Sequence, residues 1–117
     1  MNLLTKKEIE KQLDYCIEQI DKGITRYRYG YFPHTGKYSV YTTLPNAGWT
    51  SGFWTAMVLM AYEITHEEKY KEVVENHVNS FHERIINNYS TDHHDLGFEY
   101  TLSCVSAYKV LGSELAK

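Results

Sequence analysis

The stretch WTSGFWTAMVLMAYEI, Trp49 to Ile64, limits most strongly what this chain can fold into. It carries one charge, Glu63, and its apolar side chains fall on nearly every side of a helix. A helix of that kind is buried on all sides, since it has no wet face to show. Its longest apolar run, near residues 53 to 62, is too short to span a bilayer.

The flanking segments read differently. TKKE, Thr5 to Glu8, is a capping-box pattern, in which the Thr and Glu side chains satisfy orphan backbone N–H groups. After it Ile9, Leu13, Cys16, Ile17, Ile20 and Ile24 recur at helical spacing among charges, giving an amphipathic helix that ends near Gly23. THEE, Thr65 to Glu68, repeats the capping box, and Tyr70, Val73, Val74, His77, Val78, Phe81 and Ile85 mark a second amphipathic helix. The polar link NNYSTDHHD leads into LGFEYTLSCVSAYKVL, again mostly apolar or small, with Gly112 placed as a stop. The expectation is all-α: helices near 5–23, 49–64, 67–87 and 96–111, with no sheet of consequence. Amphipathic and apolar helices alternate, as they do where an inner helical layer is wrapped by an outer one in an α/α toroid. A plain four-helix bundle would show four helices with one wet face each. Helices two and four are therefore expected to be the more buried pair.

This order places the unusual links. Both connections that run from an outer to an inner helix, 25–48 and 88–95, fall at one end of the assembly. The first holds Tyr27, Tyr29, Tyr31, Phe32, Pro33, Tyr38 and Tyr41. A loop this long is functional or disordered, and its aromatic content argues against disorder. Trp49 and Asp95 each stand at the start of an inner helix, where free N–H groups suit an anion such as a carboxylate. Asp95 suits an N-cap as well as a catalytic carboxylate, and the two roles are compatible. His93 and His94 beside it lack any H-E-x-x-H or Cys/His spacing, so no metal is expected. Trp49, next to Gly48, is the candidate ligand platform, while Trp54 is expected to pack.

The 117 residues suit one domain, and 43% hydrophobic content is enough to fill a core. Eleven tyrosines and two tryptophans are many for this length; such amphipathic rings often meet sugars and other flat polar ligands. A net charge of −3, with 12 basic and 15 acidic residues well mixed, gives no footprint for a nucleic acid partner. The opening MNLLTKKEIEKQ lacks signal architecture, and a cytoplasmic protein with no membrane partner is expected. Cys16 and Cys104, each among apolar residues, are expected to be buried free thiols.

WTSGFWTAMVLMAYEIT, followed by HEEKYKEV and HHDLGFEYTLSC, closely resembles the N-terminal part of the unsaturated glucuronyl hydrolases, glycoside hydrolase family 88. The resemblance implies an (α/α)6 barrel, with residues 1–117 as an N-terminal fragment of one catalytic domain covering about its first two helical hairpins. It implies a glycosidase acting on the unsaturated uronic acid that polysaccharide lyases leave on oligosaccharides of chondroitin, hyaluronan, heparin-like chains or gellan. It implies no metal and no organic cofactor. The reaction implied is hydration of the 4,5 double bond, assisted by two aspartates. By position Asp95 matches the first of these, and His94 and Trp49 match residues lining the sugar subsite. The general acid/base lies beyond Lys117, so the chain alone is expected to be inactive and to associate with itself. Gly48, Ala56 and Glu99 depart from the family pattern and leave the substrate open. An unsaturated rhamnogalacturonyl hydrolase, or a non-catalytic sugar-binding or self-associating helical module, are the alternatives.

Overall fold

The structure is a computed structural model that describes residues 3–27 and 29–117. Helix α1 (Lys6–Arg26) begins with the expected capping box: Glu8 N donates to Thr5 Oγ1 at 3.3 Å, and Thr5 N to Glu8 Oε2 at 2.7 Å. It does not stop at Gly23. That glycine lies inside the helix, and a Cβ there would come 2.5 Å from Trp54 Cη2. Its missing side chain is the seat for the Trp54 ring. Ile20 is buried and Ile17 and Ile24 pack beside it, but Ile9, Leu13 and Cys16 are exposed. The expectation of a buried Cys16 fails, because among the described residues nothing covers the first half of α1.

A two-stranded antiparallel hairpin follows, β1 (Tyr31–Lys37) and β2 (Val40–Pro45), where no sheet of consequence was expected. Its register runs from Tyr31 opposite Pro45 to Lys37 opposite Val40. Tyr38 and Ser39 at the tip adopt φ of 51° and 61°, the twist that a tight hairpin turn requires, without the Asn-Gly pair that signals it in sequence. The strands are mostly exposed and so show no apolar alternation. Phe32 is their buried apolar anchor, edge-on to Phe81 at 5.9 Å and 4.8 Å from the His77 ring.

Helix α2 (Ser51–Thr65) packs chiefly on α3 (Glu68–Ile86). Thr65 remains in α2 as its last residue, so the second capping box does not form; Glu67 is the N-cap and its side chain makes no capping bond. His66, at φ 57°, turns the chain instead. The α3 stripe of Tyr70, Val74, His77, Val78 and Phe81 is buried as its spacing predicts, and Arg84 is buried with it.

The last helix is not continuous. It comprises α4 (Leu96–Tyr100), a π-helical turn (Thr101–Val105) and α5 (Ser106–Leu111), ended by Gly112 at φ 69°. The more buried pair is α2 with α3, not helices two and four. Helix α3 has α2 on one side and the last helix on another, whereas the last helix leaves Phe98, Val105, Tyr108 and Val110 exposed. On α2 itself, Phe53, Met57, Met60 and Ile64 form an exposed apolar row. The helix that its sequence marks as buried all round is covered on one side only among the described residues.

Candidate functional site

The two unusual links meet. Ser90 Oγ donates to Ala47 O at 3.0 Å, and Arg84 Nη1 donates to Asn46 Oδ1 at 3.2 Å. The hairpin is tied to the mouth of α2 as well. The Thr50 hydroxyl donates to Pro33 O at 3.2 Å, which leaves its oxygen to accept from His34 Nδ1 at 3.0 Å. The tie fixes the His34 tautomer.

Trp49 stands at this mouth, half exposed, with Phe53 at 6.1 Å and Phe98 at 6.4 Å, both edge-on; Phe53 and Phe98 are 5.8 Å apart. The three rings bridge the starts of α2 and α4. A shallow depression of about 390 Å³, lined by Phe53, Gly97, Phe98, Thr101 and Leu102, lies beside them. Flat aromatic surface of this kind suits the apolar face of a sugar ring.

Asp95 precedes α4 at its N-cap position, yet its side chain makes no capping bond. It is about a quarter exposed, with Oδ2 3.8 Å from His93 Nδ1 and Oδ1 3.4 Å from His94 Nε2. The His94 ring is almost fully in solvent. The structure thus brings Trp49 against Phe98 in the first turn of α4, the helix that Asp95 precedes. Among the described residues His94 meets the group through Asp95. Trp54 packs, as expected, edge-on to Tyr27 at 5.2 Å.

What the sequence reading missed is the polar core behind Asp95. The Arg84 and Glu99 side chains are 1% and 0% exposed, with Nη2 and Oε2 3.1 Å apart. Arg84 also donates to Ser90 O from Nη2 at 2.7 Å and meets His93 Nε2 at 2.9 Å. A charge can be buried this deeply only if paired and hydrogen-bonded. The signals were present: Arg84 falls three residues after Phe81 on the buried stripe, and Glu99 interrupts a run otherwise free of charge. A second buried polar contact joins Thr55 Oγ1 to His77 Nδ1 at 3.1 Å; burial pushes the His77 imidazole down to about 4.

No family model matches the chain. Among curated proteins it is 36% identical over 116 residues to the unsaturated chondroitin disaccharide hydrolase of Streptococcus pneumoniae, spanning 98% of this chain and 29% of that protein. Its fold matches crystalline unsaturated glucuronyl hydrolase of Streptococcus agalactiae with a TM-score of 0.92 at 36% identity, over 99% of this chain and 29% of the other. An aspartate-to-asparagine mutant of that enzyme, complexed with dGlcA-GalNAc6S, matches equally, with a TM-score of 0.92 and 36% identity over 99% of this chain and 31% of the mutant chain. These likenesses define a class of predominantly helical hydrolases. By sequence and fold the chain belongs, more narrowly, to the unsaturated glucuronyl hydrolases. It spans about 29% of the length of the curated relative from S. pneumoniae.

Proposed function

We propose that this chain is the N-terminal segment of a cytoplasmic glycosidase of glycoside hydrolase family 88, built on an (α/α)6 barrel, of which it supplies about the first two hairpins. Its substrate is an unsaturated uronyl oligosaccharide of the glycosaminoglycan type. The observation that carries the reading is the free Asp95 carboxylate: it sits where a cap belongs, makes no capping bond, and shares its end with Trp49. A relative complexed with dGlcA-GalNAc6S supports the substrate class.

The chemistry differs from ordinary glycoside cleavage, in which two carboxylates flank the scissile bond. The 4,5 double bond is an enol ether. Protonation at C4 leaves a cationic centre at C5, stabilised by the ring oxygen, and water adds there. The resulting hemiketal opens and releases the neighbouring sugar. Asp95 orients the unsaturated ring and supports the acid/base, Trp49 stacks on the ring, and His94 lines the subsite. The group that moves the proton lies outside this segment, so the segment alone does not turn over.

Two measurements test this. The isolated chain should leave the ultraviolet absorbance of an unsaturated chondroitin disaccharide unchanged. Grafted into the S. agalactiae hydrolase in place of its matching segment, it should support turnover. Asp95→Asn in that graft should then lower kcat by about a hundred-fold or more, the scale of a misplaced reacting ring. Near-unchanged turnover would leave Asp95 with no catalytic part. Preference for an unsaturated rhamnogalacturonan disaccharide in the same assay would shift the substrate class.

The exposed row of Phe53, Met57, Met60 and Ile64 favours a second property, self-association of the isolated chain. Light scattering should show a species larger than the monomer. A stable monomer at high concentration would exclude it.

A further inference from the structure

The link between α3 and α4 is polar, and two of its residues, Asn88 and Ser90, adopt φ of 50° and 49°. Left-handed backbone at non-glycine positions persists only where its surroundings hold it. At Ser90 the Arg84 guanidinium supplies that hold. Nε and Nη2 donate to Ser90 O at 3.3 and 2.7 Å, Nη1 reaches Asn46 Oδ1, and the Glu99 carboxylate lies against both terminal nitrogens. Glu99 keeps the buried charge balanced.

The same guanidinium touches His93 Nε2 at 2.9 Å. Arginine has only donors to offer, so Nε2 presents its lone pair and the ring proton sits on Nδ1. The nearby Ser90 O, 3.1 Å from Nε2, is served by the guanidinium instead. The Asp95 backbone N–H, 3.3 Å from Nδ1, suits the opposite tautomer, but the shorter contact is the one with a permanently charged donor. The Nδ1 proton therefore faces Asp95 Oδ2 at 3.8 Å, an electrostatic contact rather than a hydrogen bond. Asp95 has no capping bond of its own, and of the two histidines beside its carboxylate, His94 lies in solvent while His93 is held by the buried guanidinium.

We propose that Arg84, with Glu99 as its buried counter-charge, is a positioning residue. It fixes His93 as the Nδ1-protonated tautomer and, through that ring and Ser90, sets where the Asp95 carboxylate stands. The role rests on the reading of Asp95 as the carboxylate that meets the unsaturated sugar. Glu99 departs from the resemblance on which that reading began, so the bracket is a feature of this chain's own residues.

The test uses the 117-residue chain and ring-nitrogen NMR shifts of His93, together with amide exchange across 88–95. Arg84→Met with Glu99→Leu removes both buried charges at similar volume, an exchange that folds elsewhere tolerate. Circular dichroism should report retained helix, while the His93 shifts leave the Nδ1-protonated pattern. Exchange in the link should rise at least tenfold, with the α3 core unchanged. Should the double variant fail to fold, Arg84→Lys keeps the charge balance but lacks the fork, and the same two changes are expected in it. A folded variant with the wild-type His93 pattern and unchanged exchange overturns the proposal. Titrating wild-type chain with unsaturated chondroitin disaccharide is a separate arm. If Trp49 and Asp95 signals do not move there while the bracket variants behave as expected, the bracket stands and the sugar-contacting role of Asp95 falls.

Discussion

Replacing Gly52 with alanine should destabilise the chain, although in most helices the same change stabilises. A Cβ at Gly52 would lie 2.6 Å from Glu99 O, 2.9 Å from its Cα and 3.1 Å from its carbonyl carbon. All three are backbone atoms of α4, so no side chain can rotate out of the way. Ordinary contact starts at 3.4 Å, and 3.4 − 2.6 = 0.8 Å is the separation that α2 and α4 must gain at this crossing. Overpacking of this kind costs roughly 1–3 kcal/mol, and a backbone obstacle belongs near the upper end. Helix propensity returns about 1 kcal/mol for Gly→Ala. Displacing Glu99 also loosens its grip on Arg84, so a net loss of about 2 kcal/mol is expected. At roughly 4 °C per kcal/mol for a domain of this size, Tm should fall by about 8 °C. Gly97→Ala is the matched control, since nothing lies within 4 Å of its Cβ position. It should be neutral or raise stability by about 0.5 kcal/mol. Thermal denaturation followed by circular dichroism measures both. If Gly52→Ala equals or exceeds wild type in stability, the close crossing of α2 and α4 is not a fixed contact, and its use to seat Glu99 is wrong.

His77, pushed down to about 4 by burial, takes up its proton near 6.5 once unfolded. The unfolded chain thus binds more protons between those values, so stability should rise by about 3 kcal/mol from pH 4 to pH 6.5 and level off above. His77→Phe should flatten that slope in urea midpoints taken against pH, and an unchanged slope would assign it elsewhere; Thr55 keeps its bond to Ser51 O in either case. Thr5→Ala removes the α1 capping box and should cost about 1 kcal/mol, read as faster amide exchange confined to the first turn. Cys16 is exposed, whereas burial pushes the Cys104 thiol up, so a thiol reagent at neutral pH should modify Cys16 at least about tenfold faster. Equal rates would contradict the placement of Cys104.

Periodicity made the four helical rods legible, because the stripe of Tyr70, Val74, Val78 and Phe81 has one physical reading. The hairpin was not legible. Its strands bury little beyond Phe32, and strands left mostly exposed on both faces have no alternation to show. Burial of the last helix was overread, since apolar composition states what a helix can bury and not whether a neighbour is there. Trp49 and Asp95 were singled out as candidates from their places at helix mouths, and that placement is as far as the sequence reaches. Arg84 escaped notice because a single arginine on an apolar face, read alone, looks like the edge of a wet one. Its meaning depends on Glu99, fifteen residues on, and only the tertiary crossing brings the two together.

The π turn at Thr101–Val105 makes the last helix two rods with a phase offset. A π turn holds one residue more than an α turn, so everything after it is rotated relative to an ideal helix. Asp95 and Glu99 belong to the first rod, and Ala107 and the Gly112 stop to the second. Each rod can therefore meet its own neighbours without dictating the other's rotation. A single-residue deletion within 101–105 would restore a regular helix and lock the two together. Either the second rod would turn away from its packing, or the first would swing Asp95 off the mouth it now occupies. The length of this turn thus sets the rotation of one rod against the other, and with it which way the start of α4 faces.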